Sequence, residues 1–508
     1  MPSRQYITTA IDYPNAAPHM GHVLEKILAD VVARWFRLRG DTVRFQIGTD
    51  EHGVKIQQTA AKQNLTPKEL VDRNVPQFED LYRRLHVSFD AFVRTTNQQK
   101  HWPTVQALWK KLAEAGALEK RTYTGLYCPG CERFLTRKDL VDGKCPDHQI
   151  PPQEVAEENY FFLLGRKTQD LKKLLTVRKG GYRIIPDFRA PETLQLIEQG
   201  LEDVSFSRPT SSLSWGIPVP DDSSQTMYVW CDALTNYISG IGLLTDHAEK
   251  EWWDDATVTH VIGKDIARFH ALIWPAMLQY GGIRTPDQLL IHGFLTSEGQ
   301  KMSKSIGNVV VPDDVLKLVG GNPDPLRFYL SHQIPVGNDG DFSWDRFKEI
   351  YEGILGNQLG NLLNRVLVLL KKEGSQLSGF GKDPLGVDWK KYQEAMDGFA
   401  LQDGLAVPVG LMDRANKYIA EKKPWELKGV EKMEVLSPLA EVLRHITLML
   451  LPFIPGSAQR MAAQLNLPYA DTMLEKGFVI TATMKKWGAE EGWKGVGEPS
   501  ILFPRLEK

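Results

Sequence analysis

The order of elements in residues 5–52 constrains this chain more than any other feature. A β-branched and aromatic run, Tyr6 to Thr9, is followed by a turn-rich stretch from Asp12 to Pro18. Leu24, Ile27, Val31, Trp35 and Leu38 then recur at helical spacing as far as Gly40, a residue suited to a left-handed helix end. Thr42 to Ile47 reads as a second strand, ending at Gly48-Thr49-Asp50-Glu51-His52. Two strands separated by one helix pair in parallel through a right-handed crossover. A parallel sheet must be covered on both faces, so the pattern predicts a doubly wound α/β domain.

The texture changes along the chain. Residues 1–115 are read as the first half of that domain, and 116–224, with three of the four cysteines and many turn residues, as an insertion. Strand and helix alternation resumes over 225–312, where Thr226 to Trp230, Thr257 to Ile262 and Leu289 to His292 are expected strands. Residues 313–350 read as a linker. In 351–508, Leu355, Leu359, Leu362, Val366 and Leu370, and then Leu439 to Leu451, predict an α-helical bundle.

Composition removes whole classes. With 61 Lys+Arg against 63 Asp+Glu the net charge is −2, which excludes nucleic-acid binding by overall basicity but leaves room for a local patch. The longest uncharged stretches, Phe269 to Ile283 and His445 to Gln459, contain proline and fall short of the ~18 apolar residues of a membrane span. The start, MPSRQYITTAIDYP, has no apolar signal core. Four cysteines in 508 residues are no disulfide framework, and a reducing, cytoplasmic compartment is expected.

Ligands of a doubly wound sheet bind at the carboxyl ends of its strands. Five segments are expected there and should converge: His19-Met20-Gly21-His22, Gly48 to His52, Trp230-Cys231-Asp232-Ala233, Gly263-Lys264-Asp265, and Lys301-Met302-Ser303-Lys304-Ser305. Pro18 suits a helix start, so His19 and His22 fall on the first turn, where free N–H groups and the dipole favour phosphate. Gly21 lets a bulky ligand approach the backbone. Alone, His-x-x-His reads equally as a metal pair or an exposed helix start. Lys301 and Lys304 lie on a loop flanked by Gly299 and Gly307, where flexible cations can follow a polyphosphate. A random charged loop is the plainer reading of any two lysines.

Cys128-Pro-Gly-Cys131 and Cys145-Pro-Asp-His148 have the spacing C-x₂-C, thirteen residues, C-x₂-H. Three thiolates and one imidazole make a closed, structural zinc site, the alternative being free cysteines in a reducing cell. Cys231 reads as packing.

These motifs resemble those of class I aminoacyl-tRNA synthetases. His19 to His22 is similar to the HIGH signature and Lys301 to Ser305 is the KMSKS signature. AIDYPNAAPHMGH, GTDEHG, YVWCDALTNY, GKDIARFHALIWPAM and KMSKSIGN resemble the methionyl-tRNA synthetases with a single zinc knuckle, over nearly the whole chain. The resemblance implies a Rossmann-type catalytic domain split by the knuckle insertion, a stem-contact linker over 313–350 and an α-helical anticodon-binding domain. It implies formation of methionyl-adenylate from L-methionine and ATP with Mg²⁺, then transfer to the 3′ end of tRNA(Met). By resemblance His19, His22, Lys301 and Lys304 are catalytic, and Asn15, Gly21, Gly263, Asp265, Lys301, Ser303 and Lys304 hold ATP. Ala10, Ile11, Tyr13, Asp50, Trp230, Tyr237, Ile266 and His270 would hold methionine, Asp50 taking its α-amino group and aromatic walls its polarizable sulfur. Read singly, Trp230, Tyr237 and Ile266 are core packing.

Asn361 and Arg365, four apart on one helix face, and Trp425 after Pro424 in EKKPWEL would read the anticodon, although a solvated face and a core tryptophan explain them as simply. Asp12 and Leu234 depart from the family pattern, Asp12 within the methionine loop itself. A cysteine-type or large-editing synthetase is the nearest alternative. The insertion is too short for an editing domain, and the zinc ligands cluster away from the cleft. A non-catalytic RNA-binding relative is a further alternative that the intact signature residues oppose. The chain's end just after the helical region leads to the expectation of a monomer.

Overall fold

Six parallel strands form the central sheet of the computed structural model, which describes residues 3–128, 133–135, 139–146, 149–177, 180–301, 308–377, 379–489 and 492–506. They are β1 (Arg4–Thr9), β2 (Thr42–Thr49), β3 (Ala91–Arg94), β4 (Arg183–Ile185), β5 (Thr257–Gly263) and β6 (Gln288–His292). Their order is β3-β2-β1-β5-β6-β4, every neighbour parallel. Successive residues of a strand face opposite sides, and here each side has its own core. Ile7 of β1 packs with Phe45, Ile47 and the helix α1 (Met20–Arg39), whereas Tyr6 packs with Val258, Leu289 and the helical segment Phe269–Tyr280.

Both ends of α1 follow from local chemistry. His19 is its N-cap, and at Gly40 the backbone turns left-handed at φ 99°, so that the Gly40 and Asp41 N–H groups close onto Arg37 and Phe36. Between these ends α1 is buried on almost every side, because the sheet covers one face and the helical half of the molecule the other. Leu24, Ile27, Val31, Trp35 and Leu38 are all core residues.

Two strand assignments differ from expectation. Thr226 to Trp230 is not a strand of the central sheet. Its first residues end a strand, Asp222–Met227, in a small antiparallel sheet with Ser207–Pro209 and Pro218–Val219, and Val229–Leu234 is a helix. A short apolar run does not distinguish strand from buried helix, and tertiary packing made the choice. In addition β4, the edge strand, comes from within the stretch read as an insertion.

The last strand among the described residues is Gly340–Phe342. Beyond it Asn361–Lys372, Trp389–Asp397, Leu401–Lys422, Gly429–Leu450 and Pro455–Gln464 form a helical bundle whose core holds Leu362, Val366, Leu370, Leu443 and Ile446. Arg327 joins the two halves, fully buried. It pairs with Asp30 of α1 at 2.7 Å and donates to the carbonyls of Leu85, Pro452 and Phe453. No described helix is long and apolar enough to cross a membrane.

Candidate active site

The sheet order reverses between β1 and β5, and the crevice at such a point is where doubly wound folds bind ligands. α1 starts there, and the two histidines of its first turn cap it. The Gly21 N–H donates to His19 Nδ1 at 3.2 Å, and the His19 N–H donates to His22 Nδ1 at 3.1 Å. The rings stack with centroids 3.8 Å apart. A nitrogen that accepts carries no proton, so in each neutral ring the proton sits on Nε2. Burial, with the neighbouring His19 and Lys26, drives the pKa of His22 well down, so it is a neutral donor. A Cβ on Gly21 would come within 3.1 Å of the His19 ring, so glycine there lets the imidazole fold back over the helix start.

Across the crevice, Gly263 ends β5. A Cβ there would meet Asp265 Oδ1 at 2.7 Å, so glycine gives that carboxylate its place beside the strand end. Asn15 is half-buried in the loop between β1 and α1, its N–H bonded to the Tyr13 carbonyl.

Ala10, Tyr13, Trp230, Tyr237 and Ile266 share one apolar cluster. Trp230 stacks flat on Phe269 at 3.7 Å. The Tyr237 hydroxyl lies 2.6 Å from His270 Nε2, and His270 Nδ1 lies 3.0 Å from the Ile266 carbonyl. Because Nδ1 must donate to that carbonyl, Nε2 accepts from Tyr237. Burial brings the His270 pKa down to about 4, so the ring is neutral near pH 7. Ile11 lies against Gly48, and Asp50 stands half-buried at the end of β2, its N–H bonded to the Asp12 carbonyl at 2.8 Å.

Two buried polar networks flank this pocket, and the first joins two of the segments expected to converge, Gly48 to His52 and Trp230 to Ala233. In the first, Asp232 meets His52 Nδ1 and His101 Nε2, both at 2.6 Å, and His101 Nδ1 lies 2.7 Å from the Ser239 hydroxyl. Burial alone would raise the Asp232 carboxyl, but the two imidazoles overcome it and hold it below the usual range. In the second, Lys26 meets Asp12 at 2.9 Å, Glu25 at 2.7 Å and the Ala10 carbonyl at 3.0 Å. Tyr82 donates to Asp12 at 2.6 Å, and His292 lies 3.2 Å from Glu25. The apolar spacing of Leu24, Ile27, Val31, Trp35 and Leu38 does not reveal that Glu25 and Lys26 are buried as well.

Lys301 belongs to a short strand whose partner residue is Thr296, while Ser303 and Lys304 lie outside the described residues. Cys128 and Cys145 are buried in one small cluster with Leu135, and Cys131 and His148 lie outside the described residues. Asn361 and Arg365 are exposed on the helix Asn361–Lys372, with Asn361 donating to Asn357 at 3.1 Å. Trp425 is 50% exposed in the turn between two long helices, not a core tryptophan.

Imidazoles capping a helix at the switch point of a parallel sheet suit an anionic ligand such as a phosphate, in the manner of nucleotide-binding α/β folds. The family model "tRNA synthetases class I (M)" matches residues 5–154 and 148–367. The chain is 39% identical to the methionine–tRNA ligase of Caldanaerobacter subterraneus over 99% of its own length and 79% of that protein's. It is 38% identical to that of Brucella suis over 92% of each. Its structure superposes on Mycobacterium tuberculosis methionyl-tRNA synthetase in complex with methionyl-adenylate with a TM-score of 0.88, at 33% identity, covering 99% of this chain and 100% of that one. The chain belongs to the methionyl-tRNA synthetase family, within class I.

Proposed function

We propose that the chain is a methionine–tRNA ligase that joins L-methionine to ATP as methionyl-adenylate and passes the methionyl group to the 3′-terminal ribose of tRNA(Met). The observation that carries this reading is the aromatic pocket of Trp230, Tyr237 and His270 beside Asp50, at the foot of the helix capped by His19 and His22. A thioether suits aromatic walls, and the neutral His270 adds no charge beside it. Asp50 accepts the α-amino group, which leaves the substrate carboxylate turned toward the α-phosphate.

A carboxylate oxygen of methionine attacks the α-phosphorus, the bond to the bridging oxygen breaks, and pyrophosphate leaves with that electron pair. The charge gathering on the α-phosphoryl oxygens is met by the Nε2–H groups of His19 and His22, whose orientation the helix cap has already set. Asn15, Gly21, Gly263 and Asp265 hold the nucleotide, and Lys301, Ser303 and Lys304 hold the departing phosphates. In the second step a ribose hydroxyl of the tRNA attacks the carbonyl carbon, the bond from that carbon to the phosphate oxygen breaks, and AMP leaves with the electron pair, its phosphate taking up the hydroxyl proton. Positioning and charge stabilisation account for both steps, with no covalent enzyme intermediate. Mg²⁺ arrives with ATP and neutralises phosphate charge.

The burial of Cys128 and Cys145 in one cluster fits a thiolate site, so with Cys131 and His148 these residues would hold one structural zinc ion. Zinc content of the purified protein, and its loss in Cys145→Ser, test this independently of activity. Asn361, Arg365 and Trp425 are the proposed anticodon contacts. A cytoplasmic location accords with the sparse cysteines.

Methionine-dependent ATP–pyrophosphate exchange, with the other nineteen amino acids as controls, tests the reading. Exchange with methionine alone is expected. Exchange with another amino acid would overturn the pocket, and none at all would point to a binding protein.

A further inference from the structure

The ammonium of Lys26 is wholly buried, and its three protons meet three acceptors: Asp12 Oδ1, Glu25 Oε1 and the Ala10 carbonyl, at 2.7–3.0 Å. Two of these acceptors belong to the loop that follows β1, the loop that supplies Ala10, Ile11 and Tyr13 to the pocket. The same loop is tied through its backbone, since the Asp12 N–H donates to the Gly48 carbonyl at 2.9 Å and the Asp50 N–H to the Asp12 carbonyl at 2.8 Å. Any movement of Asp12 is therefore felt at both the pocket wall and the carboxylate of Asp50. A lysine spends side-chain entropy and desolvation to be buried, and does so stably only where every donor is matched.

Resting on the functional reading above, we propose that Lys26 and Asp12 are a positioning pair that sets methionine affinity by clamping the loop Ala10–Tyr13 to the helix bearing His19 and His22.

The charged and titratable groups around the pair come from every neighbouring element. Glu25 and His22 lie on α1, and Tyr82 lies on the helix Pro67–Arg84, donating to Asp12 Oδ2. His292 at the end of β6 faces Glu25 with one ring nitrogen and the Gly293 carbonyl with the other. Asp50 ends β2. Two carboxylates thus share one ammonium in a dry site. Burial, outweighing the pull of Lys26, pushes the Asp12 carboxyl up to about 6. Asp12 therefore takes up a proton just below neutrality. The ion pair then weakens to a hydrogen bond between the ammonium and a neutral carboxyl, and Glu25 carries the remaining charge pairing of Lys26. Asp50 stands on the edge of the pocket, and His22, whose pKa Lys26 helps to lower, lies one turn before Lys26 on α1.

The test is the pH dependence of the methionine and ATP KM values in pyrophosphate exchange, from pH 8 to pH 5, for the unmodified chain, Asp12→Asn and Lys26→Met. In the unmodified chain the methionine KM is expected to rise about tenfold as pH falls through 6, which is ~1.4 kcal/mol. Asp12→Asn removes the charge but keeps the shape, so it should show the raised methionine KM already at pH 8 and lack the step. Lys26→Met should raise the methionine KM at least as much. In all three the ATP KM should hold within about twofold, a separation that a merely structural role would not produce. An unchanged step in Asp12→Asn, or equal rises in both KM values, overturns the inference. No exchange at all by the unmodified chain would overturn the functional reading, and the inference with it. Should Lys26→Met not fold, the unmodified chain and Asp12→Asn still decide the matter.

Discussion

Buried charge is handled differently in the two halves of the molecule. In the helical half, Glu441, Arg444 and His445 sit within one turn of a single helix. Arg444 reaches Glu441 at 2.6 Å and the Met484 carbonyl at 2.7 Å, and Glu441 accepts from the Gly488 N–H at 2.7 Å. The cluster is local in sequence, and it staples the C-terminal segment to the bundle. In the catalytic half, Asp12 is joined to Lys26 and Tyr82, and Asp232 to His52 and His101, from elements far apart in the chain. These clusters hold loops in place around a pocket. The same chemistry thus serves rigidity in one region and placement in the other. Glu441 is pulled down to about 2 by Arg444 and His445 against its burial and Asp232 is likewise held low by its two imidazoles, whereas Asp12 is pushed up to about 6.

The strongest way to break the comparison is to cut the joint between the halves. Arg327→Met takes the donor from three carbonyls while Asp30 keeps Arg34 and Ser88, and a buried acceptor left unsatisfied costs about 1–3 kcal/mol. Urea unfolding followed by tryptophan fluorescence measures this, and a loss under about 1 kcal/mol would show that packing alone holds the halves together.

Lys304→Ala sharpens the contrast at the level of function. Loss of a transition-state contact of this type costs about 10²–10³ in rate. Adenylate formation should fall by that factor while methionine binding stays nearly unchanged. An equal loss of methionine affinity would assign Lys304 a different role. His270→Ala should do the reverse and weaken methionine binding first.

Acid unfolding separates the two carboxylates. The folded-state pKa of Glu441 is depressed, so its contribution is present above about 4.5 and is lost as pH falls toward 2. The pKa of Asp12 is raised, so ionisation costs stability as pH rises from about 4 to 6. Urea midpoints should therefore decline more steeply below pH 4.5 in the unmodified chain than in Glu441→Gln, and Asp12→Asn should remove the small decline between pH 4 and 6. Identical profiles for all three proteins would dissolve the distinction.

The smallest expected effect is that of Trp425→Ala. Stability should change by less than about 0.5 kcal/mol at so exposed a site. Aminoacylation of tRNA should weaken by ~1–3 kcal/mol, the worth of one base stacked on an indole, with pyrophosphate exchange untouched. A parallel loss in exchange would place Trp425 outside tRNA recognition.

Much of the fold was legible in the chain. The spacing of Leu24, Ile27, Val31, Trp35 and Leu38 and the glycine at 40 predict α1 and its end, and the runs Thr42–Ile47 and Leu289–His292 lie within observed strands. β4 was not legible, because three residues, Arg183–Ile185, carry too little pattern. Trp230 falls in an apolar run of a length that fits strand and helix alike, and packing makes it helical. In the site, motif residues could be read because their spacing is local. The partners His101, Tyr82 and His292 could not, since each contact spans a distance in sequence that no period describes.

The sequence by itself determined the periodicities, and through them the parallel sheet, its crossover helix, the helical second half and the signature segments, because helix and strand periods are local properties. Tertiary structure alone decided that α1 would be covered on both sides. That burial turned Lys26 from an ordinary helix lysine into the shared cation of Asp12 and Glu25, and packing of other elements made Asp232 the meeting point of two histidines. A side chain's charge state depends on what surrounds it, and only packing sets those surroundings.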